Sequence, residues 1–257
     1  MALNSALRHC LRSPIGRISL LSLLTVASCL LSHRDSAIAQ VTTDTTLTNG
    51  SIVSFDGTTY AITGGTTNRT NLFHSFEDFS LSTGQTAQFS NDVAIENIIS
   101  RVTGGNRSRI NGLIEANGAA NLFLLNPNGI IFGANAELNI GGSFMATTAD
   151  RFLFDNDGEF SATDPQAPPL LAVSTPIGLQ LGANPGPIRV NGPGSGLFID
   201  PDFFDVVRSD RPLGVEVPLG ETLALVGGSL RFNGGNITAE EGRIELGSAG
   251  QNETVLL

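Results

Sequence analysis

Between Gln40 and Leu257 the chain repeatedly interrupts itself: a short apolar run is followed by Asn-Gly or Gly-Gly. Asn-Gly steps fall at 49–50, 111–112, 117–118, 128–129, 191–192 and 233–234. Gly-Gly steps fall at 64–65, 104–105, 141–142, 227–228 and 234–235. Asparagine and glycine tolerate positive φ at little cost, so each pair marks a turn. A chain cut this often has no room for long helices, and no window sustains the i, i+3, i+4, i+7 apolar pattern. Many short strands joined by frequent turns predict an all-β protein.

The clearest stretch is 109–148. Ile110–Glu115, Asn121–Leu125, Gly129–Phe132, Glu137–Ile140 and Ser143–Ala146 are expected as strands. Turns are expected at Asn117-Gly118, Asn126–Gly129, Gly133–Asn135 and Gly141-Gly142. Strands this short are below the roughly 5–6 residues usual in a sandwich. They suit a solenoid, in which each coil of roughly 20–30 residues turns several corners and stacks on the next. Without a strict repeat, this pattern only tips the balance from a sandwich or barrel toward a β-solenoid. Residues 150–216 differ: Asp155–Gly158 is a polar turn, and 164–169 and 185–196 are rich in Pro and Gly. These are expected as a loop-rich insertion projecting from the main body. Alternation returns in Glu221–Val226, Leu230–Phe232, Asn236–Ala239 and Arg243–Leu246.

Residues 1–39 have the layout of a cleavable secretory signal. Arg8, Arg12 and Arg17 precede the mostly apolar run 18–31, and Ala37-Ile38-Ala39 offers a small-x-small cleavage site before Gln40. That run is shorter than the roughly 20 residues a spanning helix needs, so no stable membrane anchor is expected. Val26-Ala27-Ser28-Cys29 resembles a lipobox that would lipidate Cys29, but Leu30 and Leu31 carry the apolar run past it. Cleavage between Ala39 and Gln40 is therefore preferred. Both cysteines, Cys10 and Cys29, lie in this segment, leaving 40–257 without a thiol. A chain that must stay unfolded until export is suited by the lack of a disulfide.

The 14 basic residues are all arginine, and four of them lie before Gln40 with one of the 24 acids; 40–257 thus carries 10 − 23 = −13. An acidic segment with no basic stripe is unsuited to nucleic acid or to an anionic membrane. His74 is the one histidine after residue 39, and alone it cannot build an N/S metal site; it is expected on a surface or loop. Phe73, Phe76 and Phe79 have helical spacing, but packing of a bent strand accounts for them better.

The segment Asn121-Leu-Phe-Leu-Leu-Asn-Pro-Asn-Gly-Ile-Ile-Phe-Gly133 resembles the signature of the filamentous haemagglutinin N-terminal domain, the two-partner secretion domain. Asn71-Leu-Phe-His-Ser-Phe76 resembles an earlier strand of that family, 104–114 the coil before the signature, and 141–148 the coil after it. Residues 222–228 and 242–247 resemble its closing coils in the style of cyanobacterial members. The resemblance spans about 40–257. It implies a right-handed, single-stranded parallel β-helix with extra-helical hairpins. It also implies engagement by a dedicated outer-membrane β-barrel transporter with periplasmic recognition domains, followed by folding outside that templates the rest. The protein would then be secreted or surface-exposed, having passed the periplasm and outer membrane. Asn71, Leu72, Phe73 and Phe76, with Asn126, Pro127, Asn128 and Gly129, are the candidate recognition and folding residues. On physical grounds Pro127 presets a turn, Asn128-Gly129 suits positive φ, and asparagine amides can bond neighbouring backbone. The same tetrad can therefore be purely a shaped corner or a transporter contact.

Parallel β-helices also include polysaccharide lyases and hydrolases, and glycosidic cleavage there needs paired carboxylates. Asp200, Asp202, Asp205 and Asp210, near Arg208 and Arg211, are the nearest candidates, and an acidic loop is more simply solvated surface. Asp155–Glu159 resembles a calcium loop but has Ala167 where a bidentate Glu belongs. No enzyme, cofactor or metal is expected. The alternative to a secretion module is a free-standing adhesin or carbohydrate-binding solenoid with a host or cell-surface glycan or protein as partner.

Overall fold

A computed structural model of the chain describes residues 40–165, 175–207, 212 and 214–257. The expected signal, its Ala39 and Cys29 lie outside the described residues, as do Ala167, Arg208, Asp210 and Arg211. The described part is built of short strands joined by turns and irregular segments, with one 3-10 turn at Asp155–Asp157. Its coils stack into a parallel β-helix with three faces. The first face orders Asn71–Phe79, Asn97–Val102, Asn121–Leu125, Phe144–Thr147, Thr222–Gly227 and Arg243–Ser248, each parallel to the next. The second stacks Ser108–Ile110, Ile130–Phe132, Pro187–Asn191 and Ser229–Asn233. The third stacks Thr59–Gly64, Thr86–Phe89, Leu113–Ala116 and Glu137–Asn139, with Val215–Val217 and Ile237–Ala239 pairing as a further parallel ladder.

The spacing of register partners measures the coils. Asn71 pairs with Asn97 and Asn97 with Asn121, steps of 26 and 24 residues; Leu122 to Phe144 is 22, and Leu223 to Ile244 is 21. On the first face only Phe144 to Leu223 is long, because that coil carries the insertions. Alternate residues point into the lumen, where Leu72, Phe76, Ile98, Leu122, Leu124, Phe144, Ala146, Leu223 and Leu225 form one core. Burying each phenylalanine or leucine side chain stabilises the stack by roughly 1.5–3 kcal/mol.

The first face is apolar on its outer side too. Phe73, Ile99, Leu125 and Val226 belong to a second core with Phe152, Phe154, Phe160 and Leu179. Phe152, Phe160 and Leu179 come from an antiparallel sheet of Arg151–Leu153, Glu159–Ser161, Gly178–Gln180 and Thr254–Leu256. Edge-to-face contacts fasten this flap, with Phe73 to Phe160 at 5.1 Å and Phe123 to Phe152 at 6.0 Å between ring centroids. A strand buried on both sides needs an unbroken apolar run, which explains Asn121-Leu-Phe-Leu-Leu125.

Three expectations are corrected. The insertion does not simply project: 151–161 and 178–180 fold back onto the first face, because that face exposes an apolar surface that must be covered. Pro187–Asn191, expected within a loop, is a coil strand whose Ile188 and Val190 fill the lumen. Ile110–Glu115 is two strands on different faces, split at Asn111-Gly112. There a Cβ on Gly112 would strike the carbonyls of Gln85 and Ser82, so the coil can turn tightly only with glycine.

Candidate recognition and folding site

The Asn126–Gly129 tetrad closes the corner between the first and second faces. The Gly129 N–H donates to the Asn126 carbonyl at 3.1 Å, and Gly129 sits at φ +124°, a conformation reserved for glycine. Asn126 is fully buried. Its Nδ2 donates to the Asn106 carbonyl (3.0 Å) and to Ser108 Oγ (2.9 Å) in the preceding coil, while its Oδ1 accepts the Asn128 N–H (3.0 Å). Asn128 Nδ2 reaches the Gly104 carbonyl at 2.8 Å, and Arg107 Nε donates to the Asn128 carbonyl at 3.1 Å. On the other side, the Asn126 N–H donates to the Thr147 carbonyl and the Gly186 N–H to the Pro127 carbonyl. The tetrad is thus a clasp between three successive layers. Its half-buried Pro127 and Asn128 are its most accessible members.

Asn71–Phe76 is buried at every position. Leu72, His74 and Phe76 face the lumen, while Phe73 and Ser75 face the flap. A register shift against Val41–Thr43, in which Thr42 pairs with Asp78 and Thr43 with Phe76, brings Phe79 back to the lumen side. That bulge is how helically spaced aromatics sit on one strand. Asn71 begins an amide ladder: Asn97 Nδ2 donates to Asn71 Oδ1 (2.8 Å), Asn121 Nδ2 to Asn97 Oδ1 (3.0 Å), and the Ser143 N–H to Asn121 Oδ1 (2.8 Å).

His74 is a correction: it is 1% exposed, not on a surface or loop. Its Nδ1 lies 3.0 Å from Ser51 Oγ, and its ring packs on Phe76 and Phe89. Burial pushes its pKa down to about 4, so the ring is neutral near pH 7. A hydroxyl beside an imidazole is the start of a nucleophile–base pair, but both are sealed inside the stack.

Sequence reasoning passed over Arg101, which is 1% exposed on a strand otherwise rich in apolar residues. Its Nε donates to Ser75 Oγ (2.8 Å), one terminal nitrogen to the Ser161 carbonyl of the flap (2.5 Å), and the other to Thr46 Oγ1 (2.8 Å). Its guanidinium lies 4.3 Å from the Phe160 ring centroid. Burial lowers its pKa to about 10, with Asp44 acting in the opposite sense, so it stays charged. Burial acts to raise the Asp44 carboxyl, but donors from Ser75, Thr103 and Thr46 together hold it below the ordinary carboxylate range. An arginine inside an apolar run was the available signal, since a buried charge must find partners.

The other candidates separate. Asp155–Asp157 forms the 3-10 turn, and Glu159 pairs with Arg151 at 2.6 Å. Asp200, Asp202 and Asp205 sit on a small hairpin whose strands are Phe198–Ile199 and Val206–Val207; among the described residues no three His, Cys, Asp or Glu converge as metal ligands.

A three-faced parallel coil, clasped at asparagine corners and covered by an extra-helical sheet, defines the class of β-helical solenoids. Residues 39–257 match the TPS secretion domain, and the chain belongs to that family, whose members are exported proteins that pass through the outer membrane. A heme/hemopexin-binding protein of Haemophilus influenzae strain Rd is 41% identical over 78 residues, 30% of this chain and 8% of that protein. A second heme/hemopexin-binding protein of Haemophilus influenzae is 50% identical over 50 residues, 20% of this chain and 5% of that protein. The matched stretches thus span less than a tenth of either relative. The solved filamentous hemagglutinin secretion domain aligns at a TM-score of 0.41 and 12% identity, covering 82% of this chain and 99% of that one.

Proposed function

We propose that the chain is the secretion and folding module of an adhesin-like exoprotein. It is bound while incompletely folded by the periplasmic domains of a dedicated outer-membrane β-barrel transporter, and it nucleates the β-helix once outside. The signal is removed between Ala39 and Gln40. The module performs no catalysis.

One observation carries this. The side chains of Asn71, Phe73, Phe76 and Asn126 are each no more than 1% exposed after folding. A partner that reads these residues must therefore meet them before the coils close, and folding then withdraws them. Binding energy from an unfolded segment followed by ordering gives export a direction, since the folded product no longer offers the same surface. The Haemophilus relatives are named for heme/hemopexin binding. With the matched stretch so small a share of those proteins, the passenger's binding target is a separate property from the module's task.

The test replaces Asn126 and Asn128 together with alanine in cells that hold the transporter. Signal-processed chain should accumulate in the periplasm while wild-type chain reaches the medium. Undiminished secretion of the double variant, or secretion of wild type without any transporter, would overturn the mechanism.

A further inference from the structure

We propose that Asn49 is a site of spontaneous deamidation, and that of the six Asn-Gly steps it is the one the folded chain leaves chemically open.

The reaction needs no enzyme. The Gly50 backbone nitrogen loses its proton to the solvent and attacks Asn49 Cγ. A bond forms between that nitrogen and Cγ, the Cγ–Nδ2 bond breaks, and the amide nitrogen takes up protons and leaves as ammonia. Water then opens the cyclic succinimide at either of its carbonyls, giving aspartate or isoaspartate. The balance is asparagine and water converted to acid and ammonia. Glycine favours the attack because it has no Cβ to crowd the nitrogen and lets the main chain rotate.

In the other five steps the asparagine amide nitrogen is already engaged. Asn111 Nδ2 donates to Thr83 Oγ1 (2.7 Å), Asn117 Nδ2 to the Asn91 carbonyl (3.0 Å) and Asn128 Nδ2 to the Gly104 carbonyl (2.8 Å). Asn191 Nδ2 donates to the Phe132 carbonyl (3.3 Å), and Asn233 Nδ2 to Asn191 Oδ1 (3.1 Å). Each of these bonds reaches a neighbouring coil, so none of these side chains can swing toward the next nitrogen without parting the stack. The Gly129 and Gly192 nitrogens are themselves occupied, donating to the Asn126 and Asn233 carbonyls at 3.1 Å.

Asn49 differs on every count. It and Gly50 are both exposed, and neither the Asn49 side chain nor the Gly50 N–H has a hydrogen-bond partner among the described residues. A Cβ at Gly50 would meet nothing within 4 Å, so the attacking nitrogen stands in open space. Only the Asn49 main chain is held: its N–H donates to Thr66 Oγ1 (3.3 Å), and its carbonyl accepts from the same hydroxyl (3.0 Å). The step precedes Ser51–Phe55, an edge strand paired only with Thr59–Gly64. Conversion adds a carboxylate there, and isoaspartate also lengthens the main chain between the Thr66 clasp and Ser51. Chemical ageing is thereby directed to the rim. Asn128, whose conversion would exchange a donor to the Gly104 carbonyl for an acceptor, is protected.

The experiment incubates the exported chain, folded and in urea, in mildly alkaline buffer. Each Asn-Gly peptide is followed by mass spectrometry with isoaspartate labelling. In the folded chain Asn49 should convert roughly tenfold faster than any other step, because breaking a hydrogen bond first slows the others by about that factor. In urea all the steps should convert at similar rates. Gly50→Ala, whose methyl enters open space, should slow Asn49 strongly at an unchanged urea midpoint. Thr83→Val removes the acceptor of Asn111 Nδ2 and should speed Asn111 while Asn49 keeps its rate. The proposal is overturned if Asn49 converts no faster than the others in the folded chain, or at its wild-type rate in Gly50→Ala. An unchanged Asn111 rate in Thr83→Val overturns it as well, since the amide bonds would then not be what protects.

Discussion

Asn126 shows what one side chain does in this fold: it spends its amide on the coil below and on its own turn at once. Asn126→Ala takes the Asn126 side chain away from the fully buried Ser108 hydroxyl and from the Asn128 N–H. It should cost about 2–4 kcal/mol in urea denaturation, because each buried orphan costs about 1–3 kcal/mol. Asn128→Ala, with a half-buried side chain, should cost less. His74 predicts a pH dependence. Its native pKa of about 4 lies below the ordinary 6.5, so between those values the unfolded state binds more protons and stability falls as pH falls. The full window is worth about 3 kcal/mol at 1.36 kcal/mol per unit. Urea midpoints from pH 7 to 4 should show this slope, and His74→Asn should remove it. Asp44, whose depressed carboxyl titrates below 3.8, contributes only at more acid pH. The turn-forming role of Asn126–Gly129 was legible from residue types. The burial of His74 was not: its neighbours in sequence, Phe73 and Ser75, serve the opposite face, and only the flap made both faces interior.

At the scale of elements, the amide ladder and the flap are the two devices that keep coils in register. Asn97 is the middle rung, with its amide donating to Asn71 and its carbonyl accepting from Asn121. Asn97→Ala removes the amide link to both neighbours and should lower stability by about 2–4 kcal/mol, whereas an exposed asparagine such as Asn139 should cost under about 1 kcal/mol on replacement. Arg101 ties the flap to the stack through Ser161 and Phe160. Arg101→Met should cost about 2–4 kcal/mol and raise amide exchange selectively in 151–161, because buried acceptors lose a charged donor. Short strands and corners were readable from Asn-Gly and Gly-Gly spacing. Asn111-Gly112 is such a corner too, hidden in sequence because apolar residues flank it on both sides. The flap escaped sequence reading because Pro- and Gly-rich flanks look alike whether a hairpin projects or folds back; the deciding quantity is the apolar outer surface of strands distant in sequence, such as Asn71–Phe79.

For the whole molecule, the proposed function predicts that folding and export exclude each other. Glu115 and Asn139 are register partners on adjacent coils, with Asn139 Nδ2 donating to Glu115 Oε1 at 2.9 Å. Paired strands lie about 4.8 Å apart, within reach of a disulfide. Glu115→Cys/Asn139→Cys should be secreted when kept reduced and should stall when oxidised before export. Equal secretion of both forms would show that a closed coil passes the pore.

The chain's own residue order determined that it is built of short strands, turned at asparagine and glycine, with a family signature around 121–133. Those are local facts, set by φ preference and by the width of an apolar run. Tertiary structure alone decided which runs share a face, that Pro187–Asn191 is a coil strand, that His74 and Arg101 are interior, and that 151–161 with 178–180 is a cover. These depend on which apolar surface remains unsatisfied once the coils stack, a property that no single segment carries.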